Sequence, residues 1–238
     1  MIQIKSLQKS YSGNVVLNIP ELTIEKGEIF GLVGNNGAGK TTLFSLILDL
    51  IKASKGEAII NNIEVSKSEE WKGFTSAYLD ESFTIGYLKP EEYFNLIGDL
   101  HNMTKQDISL FLDRFKELFN NQVLNSQKLI RDLSKGNQKK TGVAGAFMGS
   151  PEVIILDEPF ANLDPSSQFI LRKIIKSFAS EYGTTFLISS HNLDNITDVC
   201  SRIVILEEGI IVKDVEKSEN TLAELENFFT GAIKNVDV

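Results

Sequence analysis

The sequence predicts an α/β fold in which short apolar strands alternate with helices around a parallel sheet. The apolar run Ile29 to Val33 leads into a glycine-rich loop, and a helical pattern follows from Leu43 to Ile51. The run Val153 to Leu156 is short, wholly apolar and rich in β-branched residues, which is typical of a parallel strand covered on both faces. Residues 90–119 have helical spacing instead, which predicts a helical segment inserted between two β-rich parts.

The N-terminal part predicts short strands before the glycine-rich loop and a hairpin after it. Tyr11 falls in the polar segment Lys9 to Gly13, which predicts a turn. Gly56 to Val65 reads as a hairpin with an Asn-Asn turn, and Phe74 to Leu79 as a further strand.

The C-terminal part returns to the β/α pattern. Its predicted elements are a helix over Pro165 to Ser180, a strand over Thr184 to Ser189, a hairpin of Arg202 to Leu206 with Gly209 to Val212, and an amphipathic helix over Leu222 to Phe229. In the inserted segment, Pro90 and Thr104 are expected to begin helices. His101 is expected at the surface.

The composition narrows the class of protein. A chain of 238 residues with 42% apolar residues can form one large domain or two small lobes, with an ample core. The net charge of −8 argues against nucleic acid as the main partner, because phosphate backbones attract clustered Lys and Arg. The one cysteine, Cys200, excludes an internal disulfide and suits the core. There is no apolar run of about 20 residues and no signal-peptide pattern. If this protein works at a membrane, another chain must supply the spanning helices.

The glycine-rich loop matches G-x-x-x-x-G-K-[ST], the phosphate-binding pattern between a strand and a helix. Glycines let successive backbone N–H groups point at phosphate oxygens, and the following helix adds the positive end of its dipole. Lys40 can reach the β- and γ-phosphates, and the Thr41 hydroxyl can ligate Mg²⁺. The predicted nucleotide-binding residues are Gly34, Asn35, Asn36, Gly37, Ala38, Gly39, Lys40, Thr41 and Thr42.

Four further motifs follow. Asp157 and Glu158 directly follow the predicted strand Val153 to Leu156. An acid at this position, next to a phosphate loop, can hold Mg²⁺ or orient water; the alternative is an ordinary acidic strand end.

The segment Leu133 to Gln138 offers the Ser134 hydroxyl and N–H groups at a helix start. Its alternative is a capped helix with a basic face, formed by Lys128, Arg131, Lys139 and Lys140.

The last two motifs are shorter. Ala161 to Asp164 resembles the D-loop of a family of ATPases, which implies a segment along a subunit interface; its alternative is a solvated turn. His191 closes Ser189-Ser190-His191 at a strand end, where a lone histidine is often structural. Its position downstream of Asp157 favours a functional role.

Together these motifs make the chain resemble the ATP-binding subunit of an ABC transporter, of the exporter-like type, over nearly the whole length. The resemblance implies a P-loop NTPase (RecA-like) core with an antiparallel β subdomain and an inserted helical subdomain. The core would comprise residues 1–84 and 146–238 of a single domain, and the helical subdomain residues 85–145.

The resemblance also implies roles for individual residues. Glu158, His191 and Lys40 would be catalytic, and Thr41 and Asp157 would hold Mg²⁺. Tyr11 would stack on the adenine of ATP, with a half-buried anchor as its alternative. Ser134 and Gly136 would meet the γ-phosphate of ATP held by the opposite subunit, although Lys135 and Asn137 depart from the family's LSGGQ signature.

One expected residue is absent. The family usually has a glutamine after the strand corresponding to Phe74–Leu79, but no glutamine occurs between Lys55 and Lys105. Glu81 takes that place. Its carboxylate can still approach Mg²⁺, so we predict Glu81 as a metal ligand, with altered tuning of hydrolysis.

The resemblance predicts Mg²⁺-dependent ATP hydrolysis in a head-to-tail dimer, homomeric or heteromeric, that drives a separate membrane permease from the cytoplasmic face. One alternative is a soluble ABC ATPase acting on ribosomes or nucleic acid, although tandem cassettes, coiled-coil arms and basic patches are absent from the sequence. A P-loop kinase is a further alternative, but the Asp157-Glu158 pair suits a poised water better than an acceptor substrate.

Overall fold

The computed structural model describes residues 1–234, so the last four residues of the predicted core segment 146–238 lie outside the described residues. Ten strands in this part of the chain form two sheets. They are β1 (Ile2–Tyr11), β2 (Asn14–Ile24), β3 (Ile29–Val33), β4 (Lys55–Ile60), β5 (Ile63–Glu64), β6 (Thr75–Tyr78), β7 (Val153–Leu156), β8 (Thr185–Ser190), β9 (Arg202–Glu207) and β10 (Ile210–Glu216).

The first sheet is antiparallel, in the order β2-β1-β4-β5. Strands β1 and β2 pair from Ile2 opposite Ile24 to Tyr11 opposite Asn14. The prediction that Tyr11 lies in a turn is therefore wrong, because the left-handed residues that reverse the chain are Ser12 and Gly13. The predicted Asn-Asn turn is confirmed between β4 and β5.

The second sheet has the order β10-β9-β3-β8-β7-β6. Strands β9, β3, β8, β7 and β6 run parallel, and β10 pairs antiparallel with β9 at one edge. The carboxyl ends of the parallel strands therefore meet at one side of the sheet. The predicted α/β class, with an antiparallel and a parallel sheet, is confirmed.

Eight α-helices lie between or after the strands within residues 1–234. They are α1 (Lys40–Ile47), α2 (Pro90–Leu100), α3 (Lys105–Arg114), α4 (Lys116–Phe119), α5 (Lys135–Ala146), α6 (Pro165–Tyr182), α7 (Leu193–Val199) and α8 (Thr221–Lys234). The inserted helical segment is confirmed as α2 to α5, with the predicted starts at Pro90 and Thr104; the subdomain limits at residues 85 and 145 stay a prediction. His101 is exposed at the end of α2, as expected.

Two helices differ from the sequence pattern. Helix α1 was predicted over Leu43 to Ile51 but ends at Ile47, since Asp49 adopts a left-handed conformation that breaks the helix. Helix α7 was not predicted, because its seven residues are too few to show a clear apolar period.

Burial on both faces explains the apolar strand β7. Ile154 and Leu156 face a core shared with helices α2 to α6, where Phe115, Phe147 and Phe178 also pack. The alternate residues Val153 and Ile155 face a second core between the two sheets. Since side chains alternate along a strand, every position of β7 must be apolar.

We expect Ile154→Ala to lower the free energy of unfolding by about 2–5 kcal/mol, because it leaves a cavity in the centre of the larger core. Urea-induced unfolding measures this loss. Ile210→Ala is the control, since Ile210 lies on β10 with 48% of its surface exposed; its expected change is within about 0.5 kcal/mol. Equal losses for the two variants would contradict the core assignment.

Candidate active site

The predicted phosphate loop connects the end of β3 to the first residue of α1. Two of its glycines are required by the backbone. A Cβ at Gly34 would lie 2.4 Å from the Leu206 carbonyl oxygen, and Gly39 adopts a φ of +106°, which L side chains rarely adopt. Helix α1 begins at Lys40, so the positive end of its dipole lies at the loop.

A pocket lies inside the loop and reaches the end of β7. Its lining brings together the predicted phosphate-binding residues other than Gly34, the predicted metal ligands Thr41 and Asp157, and the predicted catalytic residue Glu158. The lining residues are Asn35, Asn36, Gly37, Ala38, Gly39, Lys40, Thr41, Thr42, Asp157 and Glu158.

The Lys40 ammonium is a buried cation at this pocket. Only 7% of its surface is exposed. Its Nζ donates hydrogen bonds to the carbonyl oxygens of Gly34 at 2.6 Å and Asn35 at 3.3 Å, and it lies 3.5 Å from Glu158 Oε1. The positive charge is therefore fixed where phosphate oxygens would enter the loop.

Asp157 is buried at the carboxyl end of β7 and binds two hydroxyls. Thr41 Oγ1 donates to its Oδ2, and Ser189 Oγ donates to its Oδ1. A hydroxyl and a carboxylate in direct contact, beside a phosphate loop, are the oxygen donors that Mg²⁺ takes in addition to phosphate and water. The donor set at Thr41 and Asp157 thus fits Mg²⁺.

Glu158 has a strained backbone, and one of its carboxylate oxygens accepts no hydrogen bond from the described residues. Its φ of +48° is left-handed, which costs a residue with a Cβ about 1–2 kcal/mol. Its Oε1 is buried and accepts no hydrogen bond from the described residues. An acceptor left open beside the phosphate loop suits a general base or a water-orienting group.

His191 follows β8 and faces the same carboxylate. Its Nδ1 lies 2.9 Å from Glu158 Oε2, which accepts a hydrogen bond when Nδ1 carries a proton. The imidazole and Glu158 border a second pocket next to the phosphate pocket. The structure therefore brings His191 together with Glu158.

The sequence did not predict that two further residues contact the backbone of Glu158. Ser189 Oγ accepts a hydrogen bond from the Glu158 N–H at 2.9 Å, and Lys139 Nζ donates to the Glu158 carbonyl oxygen at 2.8 Å. The position of Ser189 at the end of a strand adjacent to β7 was a usable signal. Lys139 gave none, because its contact depends on how α5 packs.

The basic face that was the alternative interpretation of Leu133 to Gln138 is wrong for two of its four members. Lys139 and Lys140 are 6% and 4% exposed. Lys140 Nζ lies 3.8 Å from Asp164, not in solvent. Burial lowers the pKa of both ammonium groups. These two lysines are therefore buried and do not form a charged surface.

Asp164 caps helix α6. It accepts hydrogen bonds from the Ser167 N–H at 3.0 Å and from the hydroxyls of Ser166 and Ser167. These bonds hold the pKa of Asp164 well below its usual range. The segment Ala161 to Asp164 thus makes a structured helix start.

Glu81 has a different neighbour from the one expected. Its Oε1 lies 3.7 Å from the Nζ of Lys135, and Glu81 is not among the described residues that line the phosphate pocket. Glu81 begins a single turn of 3₁₀-helix after β6, which Asp80 caps. Its ligation of a metal stays a prediction.

Ser134, Gly136 and Tyr11 also lie outside the phosphate-pocket lining. Ser134 is exposed at the cap of α5, where its hydroxyl accepts from the Asn137 N–H at 3.3 Å, and Gly136 is half-buried in the first turn. Tyr11 is 51% exposed, and Lys9 Nζ lies 4.7 Å from its ring centroid. The chain alone does not bring these three residues to the loop.

The sequence profile of the family described as ABC transporter matches residues 17–161, which is more than half of the chain. The chain belongs to the ABC transporter family. The matched part includes the phosphate loop and Asp157-Glu158, which line the pocket, and also the signature segment, whose Ser134 and Gly136 lie outside that lining.

Curated relatives of this family match most of the chain. The ABC transporter ATP-binding protein YtrB of Bacillus subtilis (strain 168) is 33% identical over 221 residues, which cover 92% of this chain and 73% of YtrB. The lantibiotic transport ATP-binding protein SrtF of Streptococcus pyogenes is 31% identical over 229 residues, which cover 95% of this chain and 96% of SrtF.

Solved structures share the fold. A dimeric post-hydrolysis state of the ATP-binding cassette MJ0796, bound to ADP and Pi, superimposes with a TM-score of 0.81. The match covers 92% of this chain and 99% of that one at 22% identity, so it supports the fold alone.

The family also gives the general function. This ABC transporter subunit is an ATP-binding ATPase that takes part in ATP-driven transport with a membrane partner.

We expect Lys40→Ala to lower the affinity for ATP at least about tenfold, since it removes a charge-assisted contact to the phosphates. Calorimetric titration with ATP measures this. Lys55→Ala removes an exposed lysine on β4 and is the control. Unchanged ATP binding and turnover in Lys40→Ala would contradict the assignment of the phosphate loop.

Proposed function

We propose that this ABC transporter subunit hydrolyses ATP with Mg²⁺ in a head-to-tail dimer and so powers transport of a substrate through a separate membrane permease. The observation that carries the proposal is the carboxylate of Glu158. Its Oε2 contacts His191, and its buried Oε1 stays open next to Lys40, beside the Thr41–Asp157 pair.

Each residue has a part in this reaction that follows from its position. Lys40 binds the β- and γ-phosphates through the cation fixed in the loop. Thr41 and Asp157 would hold Mg²⁺, which would neutralise phosphate charge when bound. Glu158 orients the attacking water and accepts its proton, and His191 holds the Glu158 carboxylate and contacts the γ-phosphate.

The exposed start of α5 supports the dimer. Ser134 presents its hydroxyl, and the first turn of α5 presents N–H groups, outside the phosphate pocket of the same chain. These groups, with Gly136, would therefore serve ATP held by a second subunit, either an identical copy or a related chain. MJ0796, which shares this fold, was solved as a dimer.

Tyr11 is proposed to stack on the adenine of the bound ATP. Its ring is half exposed at the end of β1. Stacking on a base needs an accessible ring face, because one face of the tyrosine ring and one face of the adenine are removed from water together.

The membrane partner is proposed to be a permease that this subunit joins at the cytoplasmic face. Within residues 1–234, no helix has the length and apolarity to cross a bilayer. The names of YtrB and SrtF refer to transporters, and SrtF to lantibiotic transport. These names support a role in transport for this chain, whereas its exporter-like type is proposed from the sequence resemblance.

We expect Glu158→Gln to keep nucleotide binding and to lower the hydrolysis rate about 10²–10⁴-fold, because the amide cannot accept the proton of water. An ATP-bound dimer should then accumulate. Phosphate release and size-exclusion chromatography with ATP and Mg²⁺ measure the two effects.

One control variant and two contradicting outcomes apply to Glu158→Gln. Glu152→Gln changes an exposed acid at the other end of β7 and should leave turnover unchanged. A Glu158→Gln variant that turns over at the wild-type rate would contradict the role of Glu158. A variant that loses turnover but stays monomeric at high concentration would count against the homodimer.

We expect Glu81→Gln to raise the Mg²⁺ concentration for half-maximal hydrolysis about threefold or more, because a metal-facing carboxylate binds Mg²⁺ better than an amide does. Titration of steady-state hydrolysis with Mg²⁺ tests this. Asp80→Asn is the matched control, since it removes the neighbouring charge and keeps a capping group. Superimposable curves for Glu81→Gln and wild type would make Glu81 an ordinary surface acid.

A further inference from the structure

Lys139 is a buried cation that the reaction described above does not use. It is the fifth residue of α5, the helix that begins within the signature motif, and 6% of its surface is exposed. Burying an ammonium group is costly unless nearby groups compensate its charge and accept its hydrogen bonds. Its surroundings therefore need an explanation.

The surroundings of Lys139 are acidic, but the contact that it makes is to a backbone group. Among residues 1–234, no carboxylate oxygen lies within 4.0 Å of its Nζ, and its hydrogen bond goes to the Glu158 carbonyl oxygen at 2.8 Å. Burial lowers the pKa of Lys139. The nearby carboxylates oppose this shift, and they belong to Glu81, Glu158, Asp157 and Asp80.

Lys139 contacts the strained backbone of Glu158. Glu158 is left-handed, and its peptide groups are held on both sides. Its N–H donates to Ser189 Oγ, while its carbonyl oxygen accepts from Lys139 and, at 3.2 Å, from the Ala161 N–H. In this conformation the carboxylate faces Lys40 and His191.

We propose that Lys139 is a positioning residue for Glu158. Its ammonium holds the Glu158 carbonyl oxygen and so keeps the left-handed backbone that aims the carboxylate at the site of the attacking water. The inference rests on the proposed role of Glu158 in hydrolysis. Lys139 itself contacts neither nucleotide nor water in this assignment, and it acts through the geometry of the acid.

Two substitutions distinguish the effect of the hydrogen bond from the effect of the volume that the side chain fills. Lys139→Met fills a similar volume without a donor, and Lys139→Gln keeps a donor without the charge. A small misplacement of a reacting group lowers turnover more than it lowers binding. We therefore expect Lys139→Met to lower kcat about 10- to 100-fold, with ATP affinity close to wild type. Lys139→Gln should lie closer to wild type than to Lys139→Met.

The measurements use the full chain. Phosphate release gives kcat and KM, and a ribose-labelled fluorescent ATP gives affinity without Mg²⁺. Thermal unfolding gives the stability of each variant. Lys140→Met is the matched control, because it removes the next buried ammonium of the same helix, one that pairs with Asp164 instead of Glu158. We expect the larger loss of kcat at Lys139 even where the two Met variants unfold at similar temperatures.

A double variant tests whether Lys139 acts through Glu158. If it does, adding Lys139→Met to Glu158→Gln should lower single-turnover hydrolysis less than about threefold further, because groups that act as a unit are not additive. A further loss as large as the one in the wild-type background would overturn the inference. So would a wild-type kcat in Lys139→Met, or a Lys139→Gln variant as impaired as Lys139→Met.

The same variants distinguish a failure of this inference from a failure of the proposed function. If Glu158→Gln itself turns over at the wild-type rate, the catalytic role of Glu158 fails and the inference fails with it. If Glu158→Gln is impaired while Lys139→Met is not, the proposed function stands and the positioning role alone is overturned.

Discussion

The parallel pairing of β8 between β3 and β7 is the constraint on which the site depends. Val33 lies opposite Ser190, so the phosphate loop and His191 leave the sheet side by side. Leu156 lies opposite Ile188, so the next residues along the two strands, Asp157 and Ser189, meet through their side chains. A slip of one residue in either pair would turn these side chains to the opposite face.

The site also concentrates strain that the surrounding structure must offset. The left-handed backbone of Glu158 costs about 1–2 kcal/mol, and its carboxylate is held beside a buried lysine. The hydrogen bonds from its N–H to Ser189 and from Lys139 to its carbonyl oxygen stabilise that conformation. Such strain is typical of functional sites, where one geometry must persist against easier alternatives.

The sequence predicted those features that depend on local pattern. The loop and β7 were recognisable because glycine spacing and an unbroken apolar run each have a local physical cause. The burial of Lys139 and Lys140 was not, because it depends on Glu158 and Asp164, which belong to segments about twenty residues further along. Tyr11 was misplaced because the strand β1 continues through polar residues, held by its pairing with β2.

Two of the three departures of the chain from the family's usual sequence are connected in space. Glu81 stands where a glutamine is expected and Lys135 where a glycine is expected, and their charged groups lie 3.7 Å apart. Their side chains are 39% and 68% exposed, and an ion pair between exposed groups contributes about 0–1 kcal/mol. The pair is therefore too weak to fix either residue. The contact therefore links the loop after β6 to the start of α5 without locking the two segments together.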